Sequence, residues 1–480
     1  MPEPTVVLYE LNEVPWRLVD AYVADHPRST IARLLREGTT WTTVNEDAAH
    51  LSPWRTWPTF HRSMYAADHN SFELGQDPAT FHGTDLWEPL DEAGVRVGTF
   101  GLLQTWPPRK HRSGGFSVPD TFARDAATEP PELGTFQRFN LKMTSENAYS
   151  SDAPLSARDL AATGLDLVKR GLTPASAAQL AGHLVKERRE PRFQAARPMM
   201  QVLPAFDLYW RLHRTHRPRF SAFFTNHVAA MMHRYWGDAV PEYAPAFDYA
   251  PDPVFATFCD AAMTLADRQL GRIEKQLQPG DRLVVAASMG QGPIDHRVDT
   301  SGLLVLDDGS ALARFLGAGP AEQELAMHPM CSLAFDTVDA AARAADQLPR
   351  VVDHAGEPLF ERIEQQGRSV GFSTRYTAVA DDDPRTAHLE ADPGALTATY
   401  GELGLAVRER MGGSNTAYHI PEGILVDREI SSTGQGDVRR EINVLDVAPS
   451  LLTTVYGIDP PPSMKGGVDG SLFHPTQGAM

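Results

Sequence analysis

Short apolar runs that end abruptly in polar pairs place the tightest limit on what this chain can fold into. Thr5–Leu11 (TVVLYEL) and Asp281–Ala287 (DRLVVAA) are rich in β-branched and aliphatic residues, as strands buried on both faces of a parallel sheet must be. Val95–Phe100 (VRVGTF) and Arg219–Thr225 (RFSAFFT) read as further strands. Helical patterns separate them: Trp16–Tyr22, then Ser29–Glu37 with Ser29 as cap and Gly38 as stop, then Thr84–Ala93, and Phe255–Leu277 closed by Pro279-Gly280. This alternation predicts an α/β fold with a mostly parallel central sheet flanked by helices and right-handed crossovers.

At 480 residues the chain exceeds one small core, so one large α/β domain with insertions, or two to three domains, is expected. The partition expected is a core half at 1–150, a helical insertion or lid at 151–217, core again at 218–300, a smaller α+β insertion at 301–400, and a closing core part at 401–480. Leucines, valines and methionines recur at helical spacing through Ser156–Arg217, which ends in the basic, aromatic YWRLHRTHRPR. Ser332–Phe335, Val338–Gln347 and Ser369–Ser373 suggest a β–α–β-like unit, with exposed turns at Asp381–Pro384 and Asp392–Pro393. Tyr418–Val426 reads as one strand and Ile442–Val455 as a strand and helix.

A formal charge of −18 argues against general binding to nucleic acid or an anionic membrane, so an anionic substrate must be met by a local group of Arg and His. The opening MPEPTVVLYEL lacks the pattern of a signal peptide, and no stretch approaches the roughly 18 apolar residues of a membrane span. Two distant cysteines, Cys259 and Cys331, suit a reducing compartment and exclude a thiolate zinc cage. A cytoplasmic protein is expected.

Polar residues collect where the strands end: Asn12-Glu13, Asn226-His227 and Ser288-Gln291, with His419 from the C-terminal part. Ligands of open α/β sheets bind at that edge. Thr56, in SPWRTWPTFHRSMYAADHN, stands between Arg55 and Trp57-Pro58 and is a candidate nucleophile for an anionic ester, with Arg55 as the anion clamp. The plain alternative is a rigid proline-containing loop with ordinary threonines, and a lone histidine is more often a satisfied structural residue than a catalyst.

The order of these segments resembles the alkaline phosphatase superfamily, specifically its type I phosphodiesterase/nucleotide pyrophosphatase branch. The matching pieces are Arg55-Thr56-Trp57-Pro58, His233-Arg234-Tyr235-Trp236, Ala287-Ser288-Met289-Gly290-Gln291-Gly292-Pro293, His419-Ile420-Pro421-Glu422-Gly423-Ile424-Leu425 and Asp446-Val447-Ala448-Pro449-Ser450-Leu451-Leu452. The resemblance implies an alkaline phosphatase-like fold, a Thr56 nucleophile and two divalent metals, usually zinc. The ligand positions of one metal fall on Asn12, Thr56, Ser288 and Met289, which lack the carboxylates a dication requires. For the other, His233 and His419 match, and the acidic position falls on Ala229 or Asn226. Asp295-His296 restores a carboxylate–imidazole pair seven residues late.

Two versions follow. A single zinc or other divalent metal would sit on His233 and His419, helped by His227, Glu10 or Glu13. The favoured version has no metal: Arg55, Arg62 and histidines meet the anionic charge, His227, His233 or His419 serves as base, and Glu13 orients one of them. Asn12, Asn226, Ser288 and Gln291 would bind substrate. The function expected is a phosphoryl- or sulfuryl-group hydrolase or transferase acting on a small-molecule anionic ester, with a hydroxyl acceptor if the group is transferred. The alternative is a catalytically inactive relative binding an anionic ligand or a protein partner. Neither nucleic acid nor membrane is an expected partner.

Overall fold

The computed structural model describes residues 4–474 apart from 48, 50, 75, 149–156, 296–301, 325, 327–329, 376–378, 380–382, 391–396, 410–414 and 433. The start of the helical insertion, Asp381, Asp392-Pro393 and the His296 half of the Asp295-His296 pair therefore lie outside the described residues.

An eight-stranded sheet forms the centre. Its strands include β1 (Val6–Leu11), β2 (Thr39–Val44), β3 (Val97–Phe100), β4 (Gly115–Val118), β5 (Phe220–Thr225) and β6 (Arg282–Ala286). Across the sheet the order is Gly436–Asn443, β2, Glu422–Glu429, β6, β1, β5, β3, β4. Glu422–Glu429 pairs antiparallel with both β2 and β6, and the other pairings are parallel. Every residue of β1 is buried. Its alternate side chains feed two cores, Val7, Tyr9 and Leu11 on one face and Val6 and Leu8 on the other. That explains why the run carries no polar alternation. A mixed α/β architecture, with helices on both faces of a largely parallel sheet, is the result.

Two helices follow β1: α1 (Trp16–Asp25) and α2 (Thr30–Glu37). The Ser29 side chain caps α2 by accepting from the Ala32 amide at 3.1 Å, and Gly38 ends it. Thr56 lies in the first turn of α3 (Pro53–Arg62) rather than in a loop before it. Pro53 at the first helical position has no N–H to leave unpaired, and the Thr56 amide donates to Ser52 O at 2.9 Å. All ten residues of α3 are buried. The helix is fixed from every side, so the direction of the Thr56 hydroxyl is set by packing.

Two expectations change in detail. Tyr418–Val426 is two strands, Ala417–Ile420 and Glu422–Glu429, broken at Pro421. The first leaves the main sheet to pair antiparallel with β7 (Gly290–Pro293), putting His419 opposite Gln291. A proline cannot donate to a ladder, so the break falls where the chain changes sheets. The second change concerns the smaller insertion, where Met330–Phe335 and Ser369–Thr374 pair antiparallel in a four-stranded sheet. That sheet covers its own apolar core, including Leu304, Leu333, Val370 and Phe372.

Candidate active site

Parallel pairing in register delivers the polar residues to one edge. Leu11 of β1 faces Thr225 of β5, and Glu10 faces Ala286 of β6. Asn12-Glu13, Asn226-His227 and Ser288 therefore leave the sheet side by side. The Asn12 amide is the hub: Oδ1 accepts from Trp57 Nε1 at 2.7 Å, while Nδ2 donates to Glu13 Oε1 at 2.8 Å and Asn226 Oδ1 at 2.7 Å. These partners fix the amide orientation, because only one face can donate. Trp57 is fully buried, so its indole ties α3 rigidly to the end of β1.

Glu13 is the acidic centre. It is buried and holds a φ of 60°, in the left-handed region that side-chain-bearing residues rarely adopt. The Oε2 atom lies 3.0 Å from His233 Nε2 and 3.4 Å from His419 Nε2, and it accepts a hydrogen bond from Gln291 Nε2. Burial alone would raise this carboxyl, but the charges of His419 and His233 and their hydrogen bonds outweigh it and hold Glu13 well below the usual carboxylate range. Both imidazoles are anchored through the other nitrogen. His233 Nδ1 donates to Ala417 O at 3.2 Å, and His419 Nδ1 donates to Leu51 O at 2.6 Å. The two rings meet edge to face with centroids 5.3 Å apart. A carboxylate oxygen of Glu13 and a ring nitrogen from each histidine all fall within 4.8 Å of one another, as a metal site requires. A second such group, Asp353, His354 and Asp383, is more exposed, and Asp353 is already committed to Arg375 at 2.7 Å and to backbone amides.

Thr56 and Ser288 are both buried, and their hydroxyls lie 2.8 Å apart. The structure thus brings together Thr56 with Ser288, and Asn12, Glu13, Asn226, His233, Gln291 and His419 in one connected network.

It does not bring in the remaining candidates. His227 turns into the core, its Nδ1 bonded to Thr225 Oγ1 at 2.6 Å and Nε2 donating to Ala262 O at 3.0 Å. Burial pushes its pKa down to about 4. Arg55 is engaged by Glu73 at 3.3 Å, Glu364 at 3.5 Å and the Phe72 carbonyl at 2.9 Å. Arg62 forks onto Asp85, with Nε at 2.7 Å. Glu10 pairs with buried His61 at 2.7 Å on the α3 face of β1, opposite the side on which Tyr9 and Leu11 pack. His69 is neutral, lowered to about 3 by burial, and bonds Thr59 Oγ1 at 3.1 Å.

The Trp57–Asn12 link was not singled out from the sequence, although a tryptophan directly after the candidate nucleophile is a signal of a tightly packed support.

No family model matches the chain, and no curated protein matches it. Among solved structures, murine ectonucleotide pyrophosphatase/phosphodiesterase 5 aligns at 10% identity with a TM-score of 0.42, over 97% of this chain and 98% of that one. The murine protein in an inactive form in complex with AMP aligns with the same values. The human protein aligns at 10% identity and a TM-score of 0.40, over 96% and 97% of the two chains. Likeness at this level identifies neither ligand nor reaction.

Proposed function

We propose that the chain is a phosphoryl- or sulfuryl-group hydrolase or transferase acting on a small anionic ester at the carboxyl edge of its sheet. One observation carries this reading: the Thr56–Ser288 hydroxyl pair and the Glu13–His233–His419 cluster are joined through Trp57 and Asn12 at that edge. The motif order resembling the type I phosphodiesterase branch supports the same assignment. Thr56 is the nucleophile or the anchor. As nucleophile, its Oγ bonds to the central phosphorus or sulfur as the bond to the ester oxygen breaks, its proton passes to solvent, and solvent protonates the departing oxygen. Water or an acceptor hydroxyl then receives the group.

Asn226, exposed beside Asn12, contributes a neutral donor for the anion, and Asn12, whose Nδ2 is spent on Glu13 and Asn226, orients it. Arg55 and Arg62 are assigned to structure instead, because each is already neutralised by a carboxylate. Cys259 and Cys331 are both buried, and a reducing, cytoplasmic setting is part of this proposal. No described helix is long and apolar enough to cross a membrane.

Turnover of bis(p-nitrophenyl) phosphate, p-nitrophenyl phosphate and p-nitrophenyl sulfate, alone and with added alcohol acceptors, tests the proposal. Loss of all turnover in Thr56→Ala is expected, and unaltered turnover would remove Thr56 from the reaction. Burial of Thr56 favours a second reading, a non-catalytic protein binding an anion at the same edge. Saturable binding of these esters without turnover would support that reading.

A further inference from the structure

We propose that two copies of this chain pair in solution, the outward face of the helices Ala157–Arg170 and Pro174–Arg189 of each docking on the acidic helix Val338–Gln347 of the other. The inference stands apart from the ester chemistry.

Charge is spread unevenly along the sequence. In 151–217 there are eleven Lys and Arg against six Asp and Glu, whereas in 301–400 there are seven Arg against sixteen Asp and Glu. A chain of net charge −18 thus carries one basic insertion and one strongly acidic one.

The basic insertion has an unused face. Pro174–Arg189 buries Ser176, His183 and Glu187, and Leu180 packs on the main core. With water as its only neighbour, the opposite side of the helix should be polar. Instead Ala178, Ala181 and Val185, three and four residues apart, are exposed there, and the space over Gly182 is open. Leu184 beside them, with Leu165 and Val168 on Ala157–Arg170, joins Val185 at 47–59% exposed. The free charges nearby are cations. Arg170 and Arg197 are paired with Asp166 and Glu187, but exposed Lys169, Arg188 and Arg189 meet no described carboxylate.

The acidic insertion carries the counterpart. Val338–Gln347 buries Ala340, Ala341 and Ala344 and leaves Val338 53% exposed among exposed Asp336, Asp339 and Asp346. Gln365 Nε2 donates to Val338 O at 3.2 Å, which lays the strand Phe360–Gln366 alongside and adds exposed Glu361. Arg343 is the one cation on this helix.

An apolar face flanked by unpaired cations thus matches an apolar residue flanked by carboxylates, in shape of charge and in hydrophobicity. Both surfaces stay exposed within one chain, and the same chain supplies both halves of the match, which selects a second copy as the occupant. Net repulsion between two acidic chains is screened over about 8 Å at physiological salt, whereas the facing charges act at contact. Two-fold pairing forms the contact twice and closes the assembly.

Analytical ultracentrifugation of the full-length protein tests this. A concentration-dependent dimer is expected at about 0.15 M salt, weakened at least about 10-fold at roughly 1 M. Arg188→Glu with Arg189→Glu should leave a monomer, folded by circular dichroism, as should Asp336→Lys with Asp339→Lys. Val185→Ser should weaken the dimer. Mixing the two charge-reversed proteins should restore it, because their heterodimer has one native and one exchanged contact. A wild type that is monomeric at every concentration, a dimer indifferent to both reversals, or no recovery on mixing would overturn the proposal. So would a monomer that co-sediments with phosphatidylglycerol vesicles through Arg188 and Arg189, which would assign the face to lipid.

Discussion

The hydroxyls of Thr56 and Ser288 meet at 2.8 Å, across the gap between the first turn of α3 and the end of β6. Each is the other's partner, so the Thr56 oxygen points at the sheet edge in a set orientation before any substrate arrives. If Thr56 attacks the ester, Thr56→Ala should lose at least ~10³-fold in kcat/KM, while Thr56→Ser keeps the nucleophile. Ser288→Ala should lower kcat by about 10-fold with little change in KM, because it removes orientation rather than substrate contact. Steady-state kinetics on an aryl phosphodiester or sulfate separate these outcomes.

His227 is expected to act on stability and leave the chemistry alone. Its folded pKa of about 4 lies below the ordinary histidine value, because burial penalises the charged ring. The unfolded chain therefore takes up the proton first as pH falls. Stability from neutral His227 is complete above about pH 6.5 and is lost between there and about pH 4, with a span of order 3 kcal/mol at about 1.4 kcal/mol per pKa unit. Denaturant melts across that window should show the loss in the wild type. His227→Gln, which keeps hydrogen-bonding groups, should flatten it.

Glu73 behaves oppositely. It is buried against α3 and the smaller insertion, and burial, followed by opposing attraction to Arg55 and repulsion from Glu364, raises it to about 7. The folded state binds a proton that the unfolded state releases near pH 4.5. Stability is thus greatest at or below the unfolded value and falls as pH rises towards and through 7, again by about 3 kcal/mol at most. Glu73→Gln should remove that slope, read from melts at pH 5 and pH 8.

The central sheet was legible because its strands are buried on both faces, a property that leaves a plain run such as TVVLYEL. The gathering of Asn12, Glu13, Asn226 and Ser288 was legible for the same reason: parallel strands deliver their ends to one edge, whereas His233 comes from a helix and Gln291 and His419 from an antiparallel pair outside the main sheet. What escaped was long-range pairing. Nothing local in His227 announces the Ala262 carbonyl, and Arg55 meets Glu364 across 309 residues. An arginine beside a candidate nucleophile looks like an anion clamp until its carboxylates are found. Pro421 could have signalled that His419 leaves the main sheet, since a central strand excludes proline.

Arg55 gives the last prediction, because its two carboxylates differ in setting. Its partner Glu73 is nearly as buried as Arg55 itself, whereas Glu364 is about half exposed. Solvent screens the Glu364 pair, so Glu364→Gln should change stability by less than about 1 kcal/mol. Arg55→Met leaves Glu73 as an unpaired buried carboxylate, a loss that reaches about 3–5 kcal/mol when the charge is retained. Glu73 escapes that penalty by taking a proton, and its pKa already near 7 makes this easy in acid. The Arg55→Met deficit should therefore be large at pH 8 and shrink at pH 5. Combining it with Glu73→Gln should abolish the pH dependence, since no charge then remains to be stranded. A deficit that is equal at both pH values would mean that Arg55 stabilises the helix through its stacking on Phe72, 5.2 Å from the ring centroid, rather than through Glu73.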